Sequence, residues 1–233
     1  MQREDYFMER HFDEELRELK EKLLQMASLA EDSISRSIKA LTDRDKKLAQ
    51  KVIDSDDEIN MLEIEVDEIC LKLLALRQPI AKDLRFITAA MRINSDLERI
   101  GDLSVNIAER TLDLLQEPLL KPLIDIPRMA QLAQKMVKDS LNAFVNRDAE
   151  LAHDVCCRDD EVDQLNHQIF RELLTYMFQD PKNITRSVDL VLIGRHMERI
   201  ADHATNIGED VVYMVKGKTI KHHIQEKENR GKT

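Results

Sequence analysis

Two short stretches repeat one acidic pattern. Glu98-Arg99-Ile100-Gly101-Asp102 continues into Asn106-Ile107-Ala108-Glu109. At an offset of 100, Glu198-Arg199-Ile200-Ala201-Asp202 continues into Asn206-Ile207-Gly208-Glu209. On an α-helix, Glu98, Asp102, Asn106 and Glu109 fall within about 80° of each other, opposite an apolar face of Ile93, Leu97, Ile100, Leu103, Ser104 and Ile107. Glu198, Asp202, Asn206 and Glu209 stand the same way against Ile193, Met197, Ile200, Ala204 and Ile207. Each stripe therefore lies outside the face that packs.

A second acidic edge precedes each stripe. Asp56, Asn60, Glu63 and Asp67 sit one helical turn apart beside Ile59, Leu62, Val66, Ile69 and Leu73. The corresponding later positions are Asp159, Asp163, Asn166 and Phe170. Neighbouring antiparallel helices would set edge and stripe face to face across a shallow groove. Stacked carboxylates repel by a few tenths of a kcal/mol per pair, ~0.2–0.5 in isolated helices, and a cation reverses the sign. Oxygen donors with Asn suit iron, manganese, zinc, magnesium or calcium. The candidate ligands are Asp56, Asn60, Glu63, Asp67, Glu98, Asp102 and Asn106, then Asp159, Asp163, Glu198, Asp202 and Asn206. The plainer alternative is a solvated acidic face neutralised by Arg99 and Arg199.

The histidines add little to these sets. His196 and His203 flank the second stripe near the edge of its apolar face, a placement typical of half-buried structural histidines. His203 is also a possible extra ligand, and His167, beside Asn166, is ambiguous. His222 and His223 belong to a polar tail. A ferritin-like enzyme or iron-storage protein is a reading from another class. It needs paired E-x-x-H motifs facing a bundle core, and the chain offers Glu150-Leu-Ala-His153 alone. A metal-free helical scaffold is a third reading.

The elements that carry these residues follow from composition and repetition. The chain has 233 residues with 5 Gly, 5 Pro and 4% aromatics, too few turn residues for a strand-rich fold. Its 34% charged and 42% hydrophobic residues read as long amphipathic helices. The net charge of −10 argues against nucleic-acid binding. Cys70, Cys156 and Cys157 form no disulfide framework; they read as reduced, with Cys70 as a core filler. No run reaches the length of a membrane span, and the N-terminus has no signal-peptide core. A cytoplasmic location is expected, with any membrane contact made through partner proteins.

Ser37–Asn60 recurs at offset 103 with ten of 24 positions identical, a duplication of a unit near 100 residues. Three helical stretches are expected in each unit, over 12–43, 46–77 and 81–116, then 124–146, 149–179 and 183–216. Prolines mark the joints, Asp45 and Asp148 suit N-caps, and Gly217 suits a C-terminal stop. The expected fold is all-α: two tandem three-helix bundles, six long helices from an internal duplication. The units run over 12–116 and 124–217, with a Pro-containing linker at 117–123 and a flexible polar tail at 218–233.

The duplicated unit, Leu76-Arg-Gln-Pro-Ile-Ala-Lys-Asp-Leu-Arg85, the two E-R-I-x-D copies and the final Glu209-Asp-Val-Val-Tyr-Met-Val-Lys-Gly217 together resemble the PhoU family over residues 12–217. The resemblance implies a cytoplasmic, often dimeric regulator without enzymatic chemistry. It implies partners in a phosphate ABC transporter and a phosphate-sensing histidine kinase, and repression of the phosphate-starvation response when phosphate is plentiful. It also implies iron or zinc on the acidic stripes. Glu98, Asp102, Glu198 and Asp202 match the family motif, and Asp56 and Asp159 match its recurrent acidic position on the second helix. Asn166 and Phe170 replace Glu63 and Asp67, so a smaller or differently filled second site is expected.

Overall fold

The computed structural model describes residues 2–218, with side chains from residue 11 onward. The tail from residue 219, with His222 and His223, lies outside the described residues. The helices are α1 (Gln2–Asp43), α2 (Lys46–Asp54), α3 (Asp56–Arg77), α4 (Ala81–Leu114), α5 (Asp125–Asn146), α6 (Ala149–Cys157), α7 (Asp159–Gln179) and α8 (Ile184–Lys216). A single 3-10 turn at Pro181–Asn183 precedes α8. α1 to α4 form one three-helix bundle and α5 to α8 the other, with α2–α3 and α6–α7 each serving as one bent middle helix.

The six long helices expected are present, and the middle one of each unit carries a bend. Neither Gly nor Pro causes it. Ser55 and Arg158 take φ near −90° with ψ near zero (−92°, −1° and −85°, −12°), at the margin of the helical region. The Ser55 hydroxyl donates to the Val52 carbonyl at 3.1 Å, while the Arg158 guanidinium is held by Asp139 and Asp154. The bend makes Asp56-Asp57-Glu58 and Asp159-Asp160-Glu161 the opening turns of new helices, where the helix dipole favours negative charge.

Sharp turns are made almost without glycine. Arg44 and Arg147, at matching places in the repeat, adopt left-handed φ of 55° and 54° to close α1 and α5. Each precedes an N-cap: Asp45 accepts from the amides of Lys47 and Leu48, and Asp148 from those of Glu150 and Leu151. Gly217 closes α8 at φ 67°. Pro127 sits in the first turn of α5, where a missing amide costs no hydrogen bond.

The two bundles are fused side by side. α4 runs antiparallel to α8 along most of its length. Arg85 Nε donates to the Met214 carbonyl, Arg92 pairs with Asp210 at 2.9 Å, and Arg110 with Asp189 at 3.5 Å. One hydrophobic core runs through both units. It includes Ile93, Leu97 and Ile100 from α4 and Ile193, Met197 and Ile200 from α8, all 0% exposed. Phe86 and Phe144 stack across the units at 5.2 Å. Cys70 is buried among apolar side chains, and no cysteine is disulfide-bonded. The linker is pinned by Lys121, which pairs with Glu172, and by Arg44, which donates to the carbonyls of Leu115 and Glu117. No helix among the described residues is long and apolar enough to cross a membrane.

Candidate metal-binding grooves

Each unit sets the acidic edge of its bent middle helix against the stripe of its last helix. The two approach closely because small residues lie between them. A Cβ on Gly101 would stand 3.0 Å from the Ile59 side chain and 3.4 Å from Asp56 Oδ1. In the second unit a Cβ on Gly208 would stand 2.8 Å from the Ala152 carbonyl oxygen, closer than real Cβ atoms come. The cores behind the grooves are equivalent: Ile59, Leu62 and Val66 in the first, Val162, Leu165 and Ile169 in the second.

In the first groove Asp56, Asn60, Glu63, Asp67, Glu98 and Asp102 are all half-buried. Burial, then the charges of Asp102 and Asp57, push the Asp56 carboxyl up, against a hydrogen bond from the Asn60 amide at 3.0 Å. Burial followed by Asp67 and Asp102 does the same to Glu63; burial followed by Asp102, and further Glu63 and Asp56, does so to Glu98. These carboxylates therefore share one field. Arg99 relieves it in part, lying 3.1 Å from Asp102 and 3.3 Å from Glu98. Its contact with Glu98 is to the buried Oε2 and is an ion pair rather than an aligned hydrogen bond.

In the second groove burial, then Asp202, Asp163 and Asp160, raise Asp159 to about 6. Burial and Glu198 raise both Asp163 and Asp202. Asp159 is half-buried, and a hydrogen bond from the neighbouring Thr205 side chain offsets only part of the rise. Here Arg195, one turn before Glu198, makes the ion pair at 3.2 Å. Burial, with Glu209 and Asp159 nearby, pushes the Cys156 thiol up to about 12, so it stays protonated and donates to the carbonyls of Ala152 and Thr205.

Some candidate ligands are turned elsewhere. Asn206 donates to Asp96 at 3.4 Å across the α4–α8 seam, and His203 bonds the same Asp96 oxygen at 2.8 Å. His203 is thus a half-buried structural residue. His196 is also half-buried; burial, then Arg199 and Arg110, lower its pKa, so it is neutral. Asn106 is half-buried on the same edge as Asn206. Phe170 is 45% exposed and brings no donor. Glu150 and His153 are both exposed, the latter 3.6 Å from Cys157 Sγ, so the E-x-x-H pair does not face the core.

Asn94 and Asp96 are positions beside the grooves that sequence reasoning missed. Buried Asn94 donates to the Glu63 carbonyl at 2.9 Å and to Asp67 at 3.0 Å, closing one end of the first groove. Its signal was its place one turn before Glu98 on the same edge.

The donor set suits a hard or borderline cation: carboxylates crowded by one another and raised by burial. Among the described residues, no group of three His, Cys, Asp or Glu side chains stands ready to hold a metal. Binding would have to draw the carboxylates inward.

Two helical bundles of duplicated origin, each with an acidic groove between its middle and last helices, define an all-α class. A model of the PhoU domain matches residues 23–111 and again 126–211. The chain belongs to the PhoU family. It is 45% identical over 214 residues to the phosphate-specific transport system accessory protein PhoU homolog of Aquifex aeolicus, covering 91% of this chain and 97% of that one. The Pseudomonas aeruginosa homolog of the same name is 39% identical, covering 93% and 90%. The crystal structure of PhoU from Pseudomonas aeruginosa superposes with a TM-score of 0.86 at 40% identity, covering 89% of this chain and all of that one. The phosphate transport system regulatory protein PhoU from Streptococcus pneumoniae gives 0.84 at 33%, covering 90% and 99%. These relatives carry accessory and regulatory names rather than enzymatic ones.

Proposed function

We propose that the chain is a cytoplasmic, non-enzymatic regulator of phosphate uptake. It couples the cytoplasmic ATPase side of a phosphate ABC transporter to a phosphate-sensing histidine kinase, and it keeps the phosphate-starvation response repressed when phosphate is plentiful. The observation that carries this reading is the ordered match of both units to relatives named for the phosphate-specific transport system, over nearly their full length. Deleting the gene is expected to give constitutive expression of phosphate-starvation genes in high phosphate, and deleting the kinase as well should restore silence. Normal repression in the single deletion would sink the regulatory reading; constitutive expression that persists without the kinase would sink the coupling.

Metal ions, iron or zinc, belong to this reading as occupants of the grooves. Asp56, Glu63, Glu98 and Asp102 would hold one set and Asp159, Asp163, Glu198 and Asp202 the other. The crowded carboxylates, whose pKa values burial and one another raise, support it. The ion would supply the positive charge that these side chains lack. The homodimer implied by family resemblance is checked by mass determination in solution.

A further inference from the structure

The first half of each bent middle helix, α2 and α6, starts from the same aspartate cap and has the same length of 9 residues. One outer face of these two helices differs at every position. In α2 it carries Lys47, Gln50, Lys51 and Asp54; in α6 the matching residues are Glu150, His153, Asp154 and Cys157. On the helical wheel each set falls within about 100°. In α6 it is turned away from Ala149, Ala152 and Val155, which pack inward. All the side chains of both sets are exposed.

The repeat has kept the geometry of this face and exchanged its chemistry. In α2 the Gln50 amide donates to Asp54 at 2.8 Å, so side chains one turn apart meet there. In α6 the same two positions bring His153 Nδ1 within 3.6 Å of Cys157 Sγ. Two ligands of one tetrahedral zinc ion need that separation: with Zn–S near 2.3 Å and Zn–N of about 2.0–2.1 Å, sulfur and nitrogen stand about 3.6 Å apart. The flanking charges change together with the ligands. Lys47 and Lys51 repel a cation, whereas Glu150 and Asp154 attract one. The next cation in the chain, Arg158, is held by Asp139 and Asp154. Cys157 is also the last residue of α6, where the helix dipole favours positive charge.

We propose that His153 and Cys157 form a zinc site of their own, apart from the acidic grooves. A thiolate with an imidazole selects zinc over hard cations such as magnesium and calcium. As the metal–sulfur bond forms, the thiol proton passes to solvent, the imidazole gives its Nδ1 lone pair, and water fills the remaining positions. With two protein ligands the site is open and exchangeable, unlike the closed four-ligand shell of a structural zinc. Cys156 takes no part, because its sulfur donates to the carbonyls of Ala152 and Thr205 instead. The inference does not rest on metal in the grooves, whose donors are oxygens, nor on the phosphate-signalling reading.

The test is titration of the reduced, metal-free, full-length chain with cobalt(II), a spectroscopic stand-in for zinc. Cobalt bound to a thiolate absorbs strongly in the near ultraviolet and cobalt on carboxylates does not, so the band reports this site even when the grooves fill. A thiolate band is expected, and added zinc should erase it. Cys157→Ser should abolish the band. His153→Gln should weaken the cobalt affinity read from it about tenfold or more, since loss of even an outer-shell partner costs about that much. Cys156→Ser should leave the band in place, as should Asp56→Ala with Glu98→Ala and Asp102→Ala. His153 and Cys157 are exposed, and a circular-dichroism melt checks the fold of each variant. No band in the parent, a band that survives Cys157→Ser or disappears with Cys156→Ser, or an affinity unchanged by His153→Gln overturns the proposal.

Discussion

The two acidic grooves are copies that have drifted in opposite directions. The first is richer in carboxylates. Four polar residues on α3 face Glu98 and Asp102, the Asn94 amide closes one end, and Arg99 bridges two of the acids. The second is poorer in charge yet raises its central acid further. It lacks the acids at Asn166 and Phe170, but Asp159 is raised to about 6 and Cys156 and Thr205 crowd beside it. The number of acids and the strain on each acid are thus separate quantities. A groove with fewer carboxylates can hold its central one under greater electrostatic stress, because burial contributes more to that stress than neighbouring charge does.

Metal removal should give the largest effect. If both grooves hold ions at free concentrations of 100 to 1,000 times the dissociation constant, chelation costs roughly 3–4 kcal/mol per site. Calorimetry with and without chelator, alongside elemental analysis, measures this. Asp56→Ala with Glu98→Ala and Asp102→Ala should remove more bound metal than Asp159→Ala with Glu198→Ala and Asp202→Ala. Equal losses would mean that the extra acids of the first groove add nothing. Full metal content in both triple variants would remove the grooves as the sites.

Backbone approach comes next. Gly208→Ala places a methyl group 2.8 Å from the Ala152 oxygen, whereas its counterpart in the first unit is already alanine, Ala108. Denaturant melts should give a loss of about 1–3 kcal/mol for Gly208→Ala and about 0.5–1 kcal/mol for Ala108→Gly. Equal costs would show that the second unit has no tighter seam.

The electrostatic stress can be read by pH. Asp159 holds its proton more tightly in the folded, metal-free protein than in the unfolded chain, because its folded value is raised from 3.8 to about 6. Its contribution is favourable below the unfolded value and is lost as pH rises to about 6. Asp159→Asn should therefore stabilise the metal-free protein at pH 7 by on the order of 1 kcal/mol, discounted for solvent screening at this half-exposed site. The gain should vanish near pH 3.5. Asp56→Asn should stabilise less. A larger gain at Asp56 would reverse the ranking of the grooves. A comparable effect is expected at Asn94, whose counterpart Gly194 has no side-chain amide: Asn94→Ala should cost about 1 kcal/mol in the same melts.

Much of this molecule was legible in its sequence. The duplication, the helical stretches and the caps at Asp45, Asp148 and Gly217 are local signals, set by periodicity and short-range hydrogen bonds. The acidic edges and stripes were legible for the same reason, since helical spacing alone places Asp56 and Asp102 on facing sides. Two kinds of feature were not. The bends at Ser55 and Arg158 depend on single backbone angles and on tertiary partners such as Asp139, with no Gly or Pro to announce them. The α4–α8 seam joins residues about 100 apart in the chain, where no local pattern reaches. That is why the sequence did not show Asn206 standing beside His203 on Asp96.

The antiparallel seam has a consequence for the history of the chain. Arg85, near the start of α4, bonds a carbonyl near the end of α8, and Arg186, near the start of α8, bonds the Pro118 carbonyl just past the end of α4, an approximate rather than residue-for-residue reciprocity. Such reciprocity is the form taken by two identical subunits meeting about a twofold axis. A single-unit chain pairing with its own copy would have to use each surface residue twice, once from each side. Fusion removes that obligation. The Asp96–His203 pair exists on one side only, because the matching positions hold His196 and Leu103. Joining the copies in one chain let an interface that symmetry would have kept uniform carry different instructions on its two sides.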